Sequence, residues 1–278
     1  MAKRGSGAAA ARPGGREGTR SIRKAVGVLR ALATGGTEGL RLNELLARCS
    51  VPRPTLHRIL GALVDERLVT RIPGSERYAL GSLAYELGLS ALPGFGLREI
   101  CAPFVEKLAE HTGDTAFLTL RRGLDGVCID RRSGSFPIKT LTIDIGVRRP
   151  LGVGLGSIAI LGALAQDERE AIMRANAPRY RAIGAHTADR VRALASRVNS
   201  AGFGATAGDF IDGVGGFAVV IRHPVGGRPF AALSVASLVS RMPPARGKEI
   251  LPLLRSFTRK VETAIAATRD WEEQTFSR

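Results

Sequence analysis

Cysteine and histidine are scarce in this sequence, and their scarcity excludes two classes of site. The three cysteines, Cys49, Cys101 and Cys128, are widely spaced and form no CxxC pair. Neither a disulfide framework nor a zinc site is therefore indicated. The four histidines show no metal-ligand spacing either; they are His57, His111, His186 and His223. We expect no metal and no cofactor, and a reducing cytoplasm is the simplest setting.

Long apolar runs are also missing. A membrane-spanning helix needs an almost uninterrupted apolar run of roughly 18 residues or more, and the sequence contains none. The opening stretch, MAKRGSGAAAARPGGREGTR, is basic and rich in alanine and glycine but lacks the apolar centre of a signal peptide. We expect no membrane association, and we expect residues 1–19 to form a disordered basic arm.

Acidic residues are in short supply, which leaves a formal net charge of +16 and an isoelectric point near 11.1. Such an excess attracts polyanions, of which nucleic acid and anionic membrane surfaces are the common candidates, unless arginine is simply frequent throughout the genome. The first 92 residues hold 15 Lys or Arg against 7 Asp or Glu, and the other 186 hold 26 against 18. The charge per residue is thus about twice as high in the first third, which favours an N-terminal nucleic-acid-binding module.

Signatures of catalysis are absent as well. The segment GVGLGS has the spacing G-x-G-x-G instead of the dinucleotide-binding G-x-G-x-x-G, and it lies late in the chain without a clear βαβ context. No G-x-S-x-G nucleophile elbow is present, and Cys128 has no evident catalytic partner. An enzyme is therefore the disfavoured alternative. A purely architectural DNA binder is a second alternative, but it would not need the sizeable apolar C-terminal part.

The N-terminal third has the pattern of a winged helix-turn-helix. Apolar residues at helical spacing predict one helix over 21–33 and a shorter one in RLNELLARC, and TGGTEG separates the two. Pro52 and Pro54 suit a turn and the first turn of a third helix, which ends near Leu63. LVTRIPGSERYALG then predicts a hairpin, the position of a wing, and 82–92 predicts an apolar linker helix.

The third helix begins with side chains suited to reading a DNA groove. Arg53, Thr55, His57 and Arg58 occupy its N-terminal end, and no acid lies between residues 50 and 64. Arginine pairs bidentately with guanine, and threonine and histidine serve base edges or phosphates. A basic helix end is more often merely solvated, but the preceding turn, the following hairpin and the local charge favour DNA.

The C-terminal two thirds predict an α+β, sensor-like domain in which helices flank several antiparallel strands. The helices are predicted at 97–113, 155–165, 167–175, 187–200 and 244–269. The strands are predicted at TAFLTLRR, GVCIDRR, FPIKTLTI, 216–224 and 230–237.

Several separate blocks resemble the IclR (isocitrate lyase regulator) family of bacterial transcription factors. The blocks are SIRKAVGVLRALA, RLNELLARCSVPRPTLHRILGALVDERLVTR, RYALG, LREICAPFVEKLAEHTGDTAFL, IGVRRPLGVGLGSIAIL and GFAVVIRHPVGGRPFAALSVAS, which together span about residues 20–270. The resemblance implies a winged helix-turn-helix at 20–81, a linker helix at 82–96, a GAF-like effector-binding domain at 97–270 and a tail at 271–278. It also implies a double-stranded DNA operator, a small-molecule effector, and a homodimer or dimer of dimers.

The resemblance extends to individual DNA-binding positions. Arg53, Thr55, His57 and Arg58 match the positions at which the family reads DNA. Four further residues are expected at the DNA backbone: Arg71 and Arg77 on the wing, and Ser21 and Arg23 at the start of the first helix. Phosphate contacts of this kind set affinity and salt dependence without carrying sequence information.

The resemblance also implies an effector pocket around the motif RRPLGVGLGS, residues 148–157. The residues expected to line it are Leu155, Gly156, Thr206, Gly216, Ser234 and Ala236. Glycines 152, 154 and 156 either turn backbone amides at a helix N-terminus toward a carboxylate or merely allow close packing. Gly216, Thr206 and Ala236 depart from the cysteine, aspartate and second serine of relatives, which favours a larger, less polar acid, such as an aromatic one, over a glyoxylate-like acid.

Overall fold

The chain folds into two compact units, Met1–Ser90 and Ala91–Arg278, in the computed structural model. The structure describes residues 14–90, 96–183 and 187–267. The division between the units falls inside the predicted linker, 82–96. Each unit has its own apolar core.

The first unit consists of short helices around a three-stranded antiparallel sheet of order β1-β3-β2. Its described elements are α1 (Gly14–Ala33), β1 (Leu40–Arg41), α2 (Leu42–Arg48), α3 (Arg53–Asp65), β2 (Val69–Arg71), β3 (Arg77–Leu80) and α4 (Ser82–Ser90), with a 3-10 turn at Gly36–Glu38. The core contains Val28, Leu45, Leu56 and Leu60, all at least 98% buried. The helices thus meet along their predicted apolar faces.

The start of the first helix differs from the prediction. Helix α1 begins at Gly14, so residues 14–19, predicted to be part of a disordered arm, are helical; the rest of that arm lies outside the described residues. The first residues of the helix, GGREGTR, contain no apolar stripe that would predict a helix. Helix α4 is described to Ser90, and the predicted end of the linker helix, 91–92, lies outside the described residues.

The second unit is built on a six-stranded antiparallel sheet of order β6-β5-β4-β9-β8-β7. Its strands are β4 (Thr115–Arg122), β5 (Asp125–Ser133), β6 (Arg148–Pro150), β7 (Gly204–Ala207), β8 (Val214–Arg222) and β9 (Pro229–Leu238). Its helices are α5 (Gly96–Thr112), α6 (Leu155–Gly162), α7 (Gln166–Ala182), α8 (Ala188–Ala201) and α9 (Pro244–Ala267), with a 3-10 turn at Val239–Arg241.

The two faces of this sheet carry side chains of different size, because neighbours along a strand point to opposite faces. Phe217 and Val219 of β8 belong to the core that contains α5 and α9. Between them, Ala218 belongs to the core that contains α6, α7 and α8, together with Ala232 of β9. Small side chains on this second face let α6 approach the sheet closely.

The predicted strand FPIKTLTI is wrong. Residues 136–143 lie in an irregular segment, 134–147, which joins β5 to β6 and is called the cover segment below. Pro137 lacks a backbone donor, and the alternation in this stretch does not reflect a buried face, since Ile138 and Leu141 are exposed. Two short strands, β6 and β7, were missed because three or four residues give too little periodicity.

The helices after β6 also differ in length from the prediction. Helix α6 ends at Gly162 rather than at 165, and α7 extends to Ala182 rather than to 175. The predicted tail, 271–278, lies outside the described residues. Within the described parts of the chain, no helix combines the length and the apolar character that crossing a bilayer requires.

Candidate nucleic-acid interface and effector cavity

Helix α3 separates its apolar and basic side chains onto different faces. Leu56 and Leu60 are buried in the core of the first unit, whereas Arg53, His57 and Arg58 are exposed. Thr55 is half-buried. Pro54 lies in the first turn, where a missing N–H costs no helical hydrogen bond. The N-terminal end of α3 therefore presents two guanidinium groups and one imidazole to solvent.

The two guanidinium groups are not used by the unit itself. Arg53 and Arg58 form no hydrogen bond or ion pair with any residue that the structure describes. The first turn of α3 has no acidic residue. The positive end of the helix dipole adds to the charge of the side chains, and the combination attracts anions.

The wing places a further arginine in solvent. Arg71, at the end of β2, is exposed, and it has no hydrogen-bonded or ion-paired partner among residues 14–90, 96–183 and 187–267. Together with Arg41 it lines the concave side of the β2–β3 hairpin. Ser21 and Arg23 are likewise exposed on α1. The position of these residues suits phosphate contact, which stays a prediction for each of them.

Arg77 has internal partners. Its Nη1 donates a hydrogen bond to the carbonyl oxygen of Gly39 at 2.9 Å and lies 3.4 Å from Oε2 of Glu44. The same Glu44 oxygen accepts a hydrogen bond of 2.6 Å from the backbone N–H of Arg41. This backbone bond, followed by the charge of Arg77, lowers the pKa of Glu44 from its ordinary value. Arg77 thus joins β3 to the start of α2, and a phosphate would have to compete with these contacts.

The second unit contains a small cavity of about 50 Å³ beneath the cover segment. Four of the six predicted effector-binding residues line it: Leu155, Gly156, Ser234 and Ala236. The other lining residues are Phe117, Thr119, Gly126, Thr142, Ile143, Arg149, Val153, Gly154 and Ser157. The cavity therefore combines hydroxyl groups and one guanidinium with an aromatic ring and aliphatic side chains.

The other two predicted residues, Thr206 and Gly216, are not among the described residues that line this cavity. Strand register places Thr206 opposite Gly216 and Gly216 opposite Ala236, so the three form a row across the sheet. Gly216 contacts Leu155, which lines the cavity: a Cβ on Gly216 would lie 2.8 Å from Leu155 Cδ2. Thr206 lines a separate groove between β7 and α9.

Two glycines bring the hydroxyl groups of the cavity together. A Cβ on Gly156 would lie 2.5 Å from Oγ1 of Thr119, and a Cβ on Gly126 would lie 2.7 Å from Oγ of Ser157. Both distances are too short for real side chains, so close approach of α6 to β4 and β5 requires glycine here. Ser157 is held in place because its Oγ accepts a hydrogen bond from the backbone N–H of Gly152 at 3.0 Å.

Arg149 is a lining residue that the sequence analysis missed. Its Nη2 donates a hydrogen bond of 2.7 Å to the carbonyl oxygen of Thr142 in the cover segment. Burial lowers the pKa of this guanidinium from its ordinary value. The sequence shows two adjacent arginines before Pro150, but only the register, in which Arg149 lies opposite Gly126, tells which of them faces the cavity.

Comparison with known proteins gives a family match for each of the two units. The family model for the IclR helix-turn-helix domain matches residues 21–73, and the model for the bacterial transcriptional regulator IclR C-terminal domain matches residues 89–263. Over 135 residues, which make up 49% of this chain, the sequence is 27% identical to the HTH-type transcriptional regulator KipR of Bacillus subtilis. The aligned part spans only about half the length of that relative, 53%.

Solved structures share the fold. An IclR transcriptional regulator from Alicyclobacillus acidocaldarius has a TM-score of 0.71 at 21% identity, over 88% of this chain and 98% of that one. An IclR homolog from Microbacterium hydrocarbonoxydans, solved in complex with 4-hydroxybenzoate, has a TM-score of 0.68 at 21% identity, over 89% of this chain and 100% of that one. At such identity the likeness establishes the fold alone.

Proposed function

Because the chain belongs to the IclR family of bacterial transcriptional regulators and carries its DNA-binding helix-turn-helix, we propose that it reads an operator with α3 and responds to a small organic acid. The family and the relatives are regulators of transcription, not enzymes. The observation that carries the proposal is the N-terminal end of α3, where Arg53, His57 and Arg58 are exposed. Base edges in the major groove supply the acceptors that these donors lack.

The effector is proposed to be an organic acid that occupies the cavity beneath the cover segment. The Microbacterium homolog was solved with 4-hydroxybenzoate, an aromatic acid. In this chain Phe117, Ile143 and Leu155 supply an apolar wall, and Thr119, Ser157 and Ser234 supply hydroxyl groups. The cavity of about 50 Å³ is far smaller than the roughly 300–1,000 Å³ of ligand pockets in general, so we expect the cover segment to move outward when an acid binds.

We further propose that the chain works as a dimer or a dimer of dimers in the cytoplasm. Five large apolar side chains in the described part of the first unit are exposed: Ile22 is 65% exposed, Val26 38%, Leu80 40%, Tyr85 70% and Leu87 55%. Exposed apolar patches are typical of association surfaces. A two-fold dimer would place two α3 helices on the half-sites of a near-palindromic operator.

Regulation then requires that the effector bind the DNA-binding and non-binding arrangements with different affinity. The chain connection between the two units passes through α4 and residues 91–95. We propose that occupation of the cavity changes the relative placement of the two α3 helices in the dimer through this connection. The direction of the change, repression or activation, follows from which arrangement the acid prefers.

Fluorescence anisotropy with a labelled fragment upstream of the protein's own coding sequence tests the DNA-binding part. The wild type is expected to bind in excess competitor DNA, and an architectural binder would lose the fragment to the competitor. Arg58→Ala should weaken binding by about 1–3 kcal/mol, or roughly 5- to 150-fold. Arg190→Ala removes an exposed arginine from the second unit and should leave affinity unchanged. Equal affinities of the two variants would remove Arg58 from the interface.

A further inference from the structure

The guanidinium of Arg149 is an uncompensated positive charge beside the effector cavity. No carboxylate lies in ion-pair distance of it among the residues described at 14–90, 96–183 and 187–267. Its hydrogen bond to the carbonyl oxygen of Thr142 satisfies one of five N–H donors but supplies no negative charge. A buried or partly buried charge is normally paired, because removing it from water is otherwise costly.

The carboxylates near this region are held by other arginines. Asp125 lies 2.6 Å from Arg179 and 3.3 Å from Arg148, and Asp144 lies 2.6 Å from Arg131. They are therefore not available to neutralise Arg149.

The thiol of Cys128 is the titratable group that acts on Arg149 electrostatically. Burial raises the pKa of Cys128 to about 12, so at neutral pH it is a neutral thiol and not a counter-ion. The cavity thus carries a positive charge whose partner is missing from the described chain.

A second feature of the same cavity also favours an anion. Helix α6 begins at Leu155, after Gly154, and its first turn contains no acidic residue that could cap the free N–H groups. Gly154 and Gly156 line the cavity, so this positive helix end and the Arg149 side chain border one space. The side chain and the backbone therefore attract the same type of ligand.

We propose that Arg149 binds the carboxylate of the effector, and that the carboxylate takes the place of the Thr142 carbonyl at Nη2. This assignment rests on the proposed function, since it names the group that selects the ligand of that site. A carboxylate is the better acceptor, because it carries a charge and two oxygens that fit a guanidinium bidentately. The apolar body of the acid then faces Phe117, Ile143 and Leu155, which line the rest of the cavity.

The exchange of acceptors connects ligand binding to the cover segment. Once Arg149 binds the carboxylate, Thr142 loses its hydrogen bond to the wall of the cavity, and the segment moves outward to admit the ligand. Arg149 is in this way both the anchor of the acid and the group that holds the empty cavity closed.

Calorimetric titration of the full-length protein with four acids tests the assignment: acetate, pyruvate, benzoate and 4-hydroxybenzoate, each paired with its neutral amide. At least one acid is expected to bind, and its amide at least tenfold more weakly. In Arg149→Gln the acid should bind no better than the amide. Arg148→Gln, the adjacent arginine, which pairs with Asp125 outside the cavity, should keep the wild-type preference. Failure of all four acids, equal binding of acid and amide, or a preference retained in Arg149→Gln would each overturn the assignment.

The melting temperature of Arg149→Met without ligand supplies an independent check on the missing counter-ion. This variant loses the hydrogen bond to Thr142 but no ion pair, so its melting temperature should fall by less than that of Asp114→Asn, which breaks the ion pairs to Arg241 and Arg246. A decrease as large as that of Asp114→Asn would contradict the missing counter-ion. DNA binding is read separately: if the wild type binds its operator fragment but no acid, only the Arg149 assignment fails, and if it binds no DNA, the proposed function fails.

Discussion

At the scale of single residues, these arginines of the first unit fall into two groups. Arg53, Arg58 and Arg71 face solvent without partners among the described residues, whereas Arg77 is tied to Gly39 and Glu44. The net charge of the region is the sum of both kinds and does not distinguish them. Only arginines without a partner inside the unit are expected to neutralise DNA phosphates fully and so to release the counterions bound there.

Arg71→Ala is expected to weaken binding to all DNA sequences to a similar extent. A phosphate contact carries no base information, so the loss should appear as a slope of log affinity against log salt that is smaller by about 1. Anisotropy titrations on operator and scrambled fragments between about 50 and 200 mM salt measure the slope. A loss confined to the operator, with an unchanged slope, would show that Arg71 contacts a base.

The placement of individual side chains was only partly predictable from the sequence. The cationic end of α3 was predicted because helical periodicity alone puts Arg53, His57 and Arg58 opposite the buried leucines. Arg149 was not predicted, because in the three-residue strand β6 the direction of a side chain depends on pairing with β5. Gly216 and Thr206 were assigned by resemblance, and neither is among the described residues that line the cavity.

At the scale of elements, the two units differ in how their pieces are joined. In the second unit, Asp114 joins the start of β4 to the start of α9 by a buried double ion pair. Its Oδ1 is 2.9 Å from Nε of Arg241, and its Oδ2 is 2.7 Å from Nη2 of Arg246. Arg241 also lies over the ring of Phe136, 3.8 Å from its centroid, at the start of the cover segment.

Asp114→Asn is expected to destabilise the second unit by about 1–3 kcal/mol. The asparagine keeps the shape of the side chain but leaves two arginines without a charge partner, and their partial exposure keeps the loss below that of a fully buried pair. Urea unfolding measures this loss of stability as a lower midpoint concentration of urea with an unchanged m-value. Asp189→Asn, which breaks a surface pair with Arg192, serves as the control. A midpoint equal to that of the control would refute the role of Asp114.

In the first unit, Glu44 makes the corresponding connection between elements, and its contribution to stability is expected to depend on pH. The pKa of Glu44 is lowered in the folded state, so the carboxylate contributes stability above its unfolded value of about 4.5 and loses it as the pH falls through the lower, folded value. Glu44→Gln should therefore melt below the wild type at pH 7, and the difference should shrink below pH 4.5. A difference independent of pH would show that the charge is irrelevant.

Elements with a clear period were predicted from the sequence, and elements defined by partners were not. Helix α3 and strands β4, β8 and β9 carry long apolar patterns that match their observed faces. FPIKTLTI has the composition of a strand, but Pro137 and the lack of a neighbour leave it irregular. Strands β6 and β7 exist only because β5 and β8 pair with them at the two edges of the sheet.

At the scale of the whole molecule, our proposal assigns the exposed apolar side chains of the first unit to association with a second copy and the cavity of the second unit to binding of an acid. Operator recognition by two half-sites needs a second copy of the chain. Tyr85 and Leu87 on α4 are the strongest candidates for contact with it, since both are large, apolar and exposed.

Tyr85→Glu combined with Leu87→Glu is expected to raise the dissociation constant of the dimer at least tenfold. An unpaired carboxylate in an apolar contact costs well over the roughly 1.4 kcal/mol that corresponds to a factor of ten. Sedimentation velocity over a concentration series measures association. Leu124→Glu alters an exposed leucine of the second unit and is the matched control. Dimers as stable as those of the control would exclude α4 from the association surface.

The way the cover segment is fastened has a kinetic consequence. Its start is fixed by the hydrogen bond from the Phe136 N–H to the Gly113 carbonyl oxygen, 2.8 Å, and its end by that from Gly146 to Cys128, 2.7 Å. Between them, residues 140–143 are held by three bonds, to Thr115, Arg149 and Arg131. Under our proposal, entry of an acid breaks only these few bonds and leaves the sheet intact, so the cover segment should open on the microsecond-to-second timescale of lid motion. The regulator would then follow a falling effector level without unfolding of the sheet.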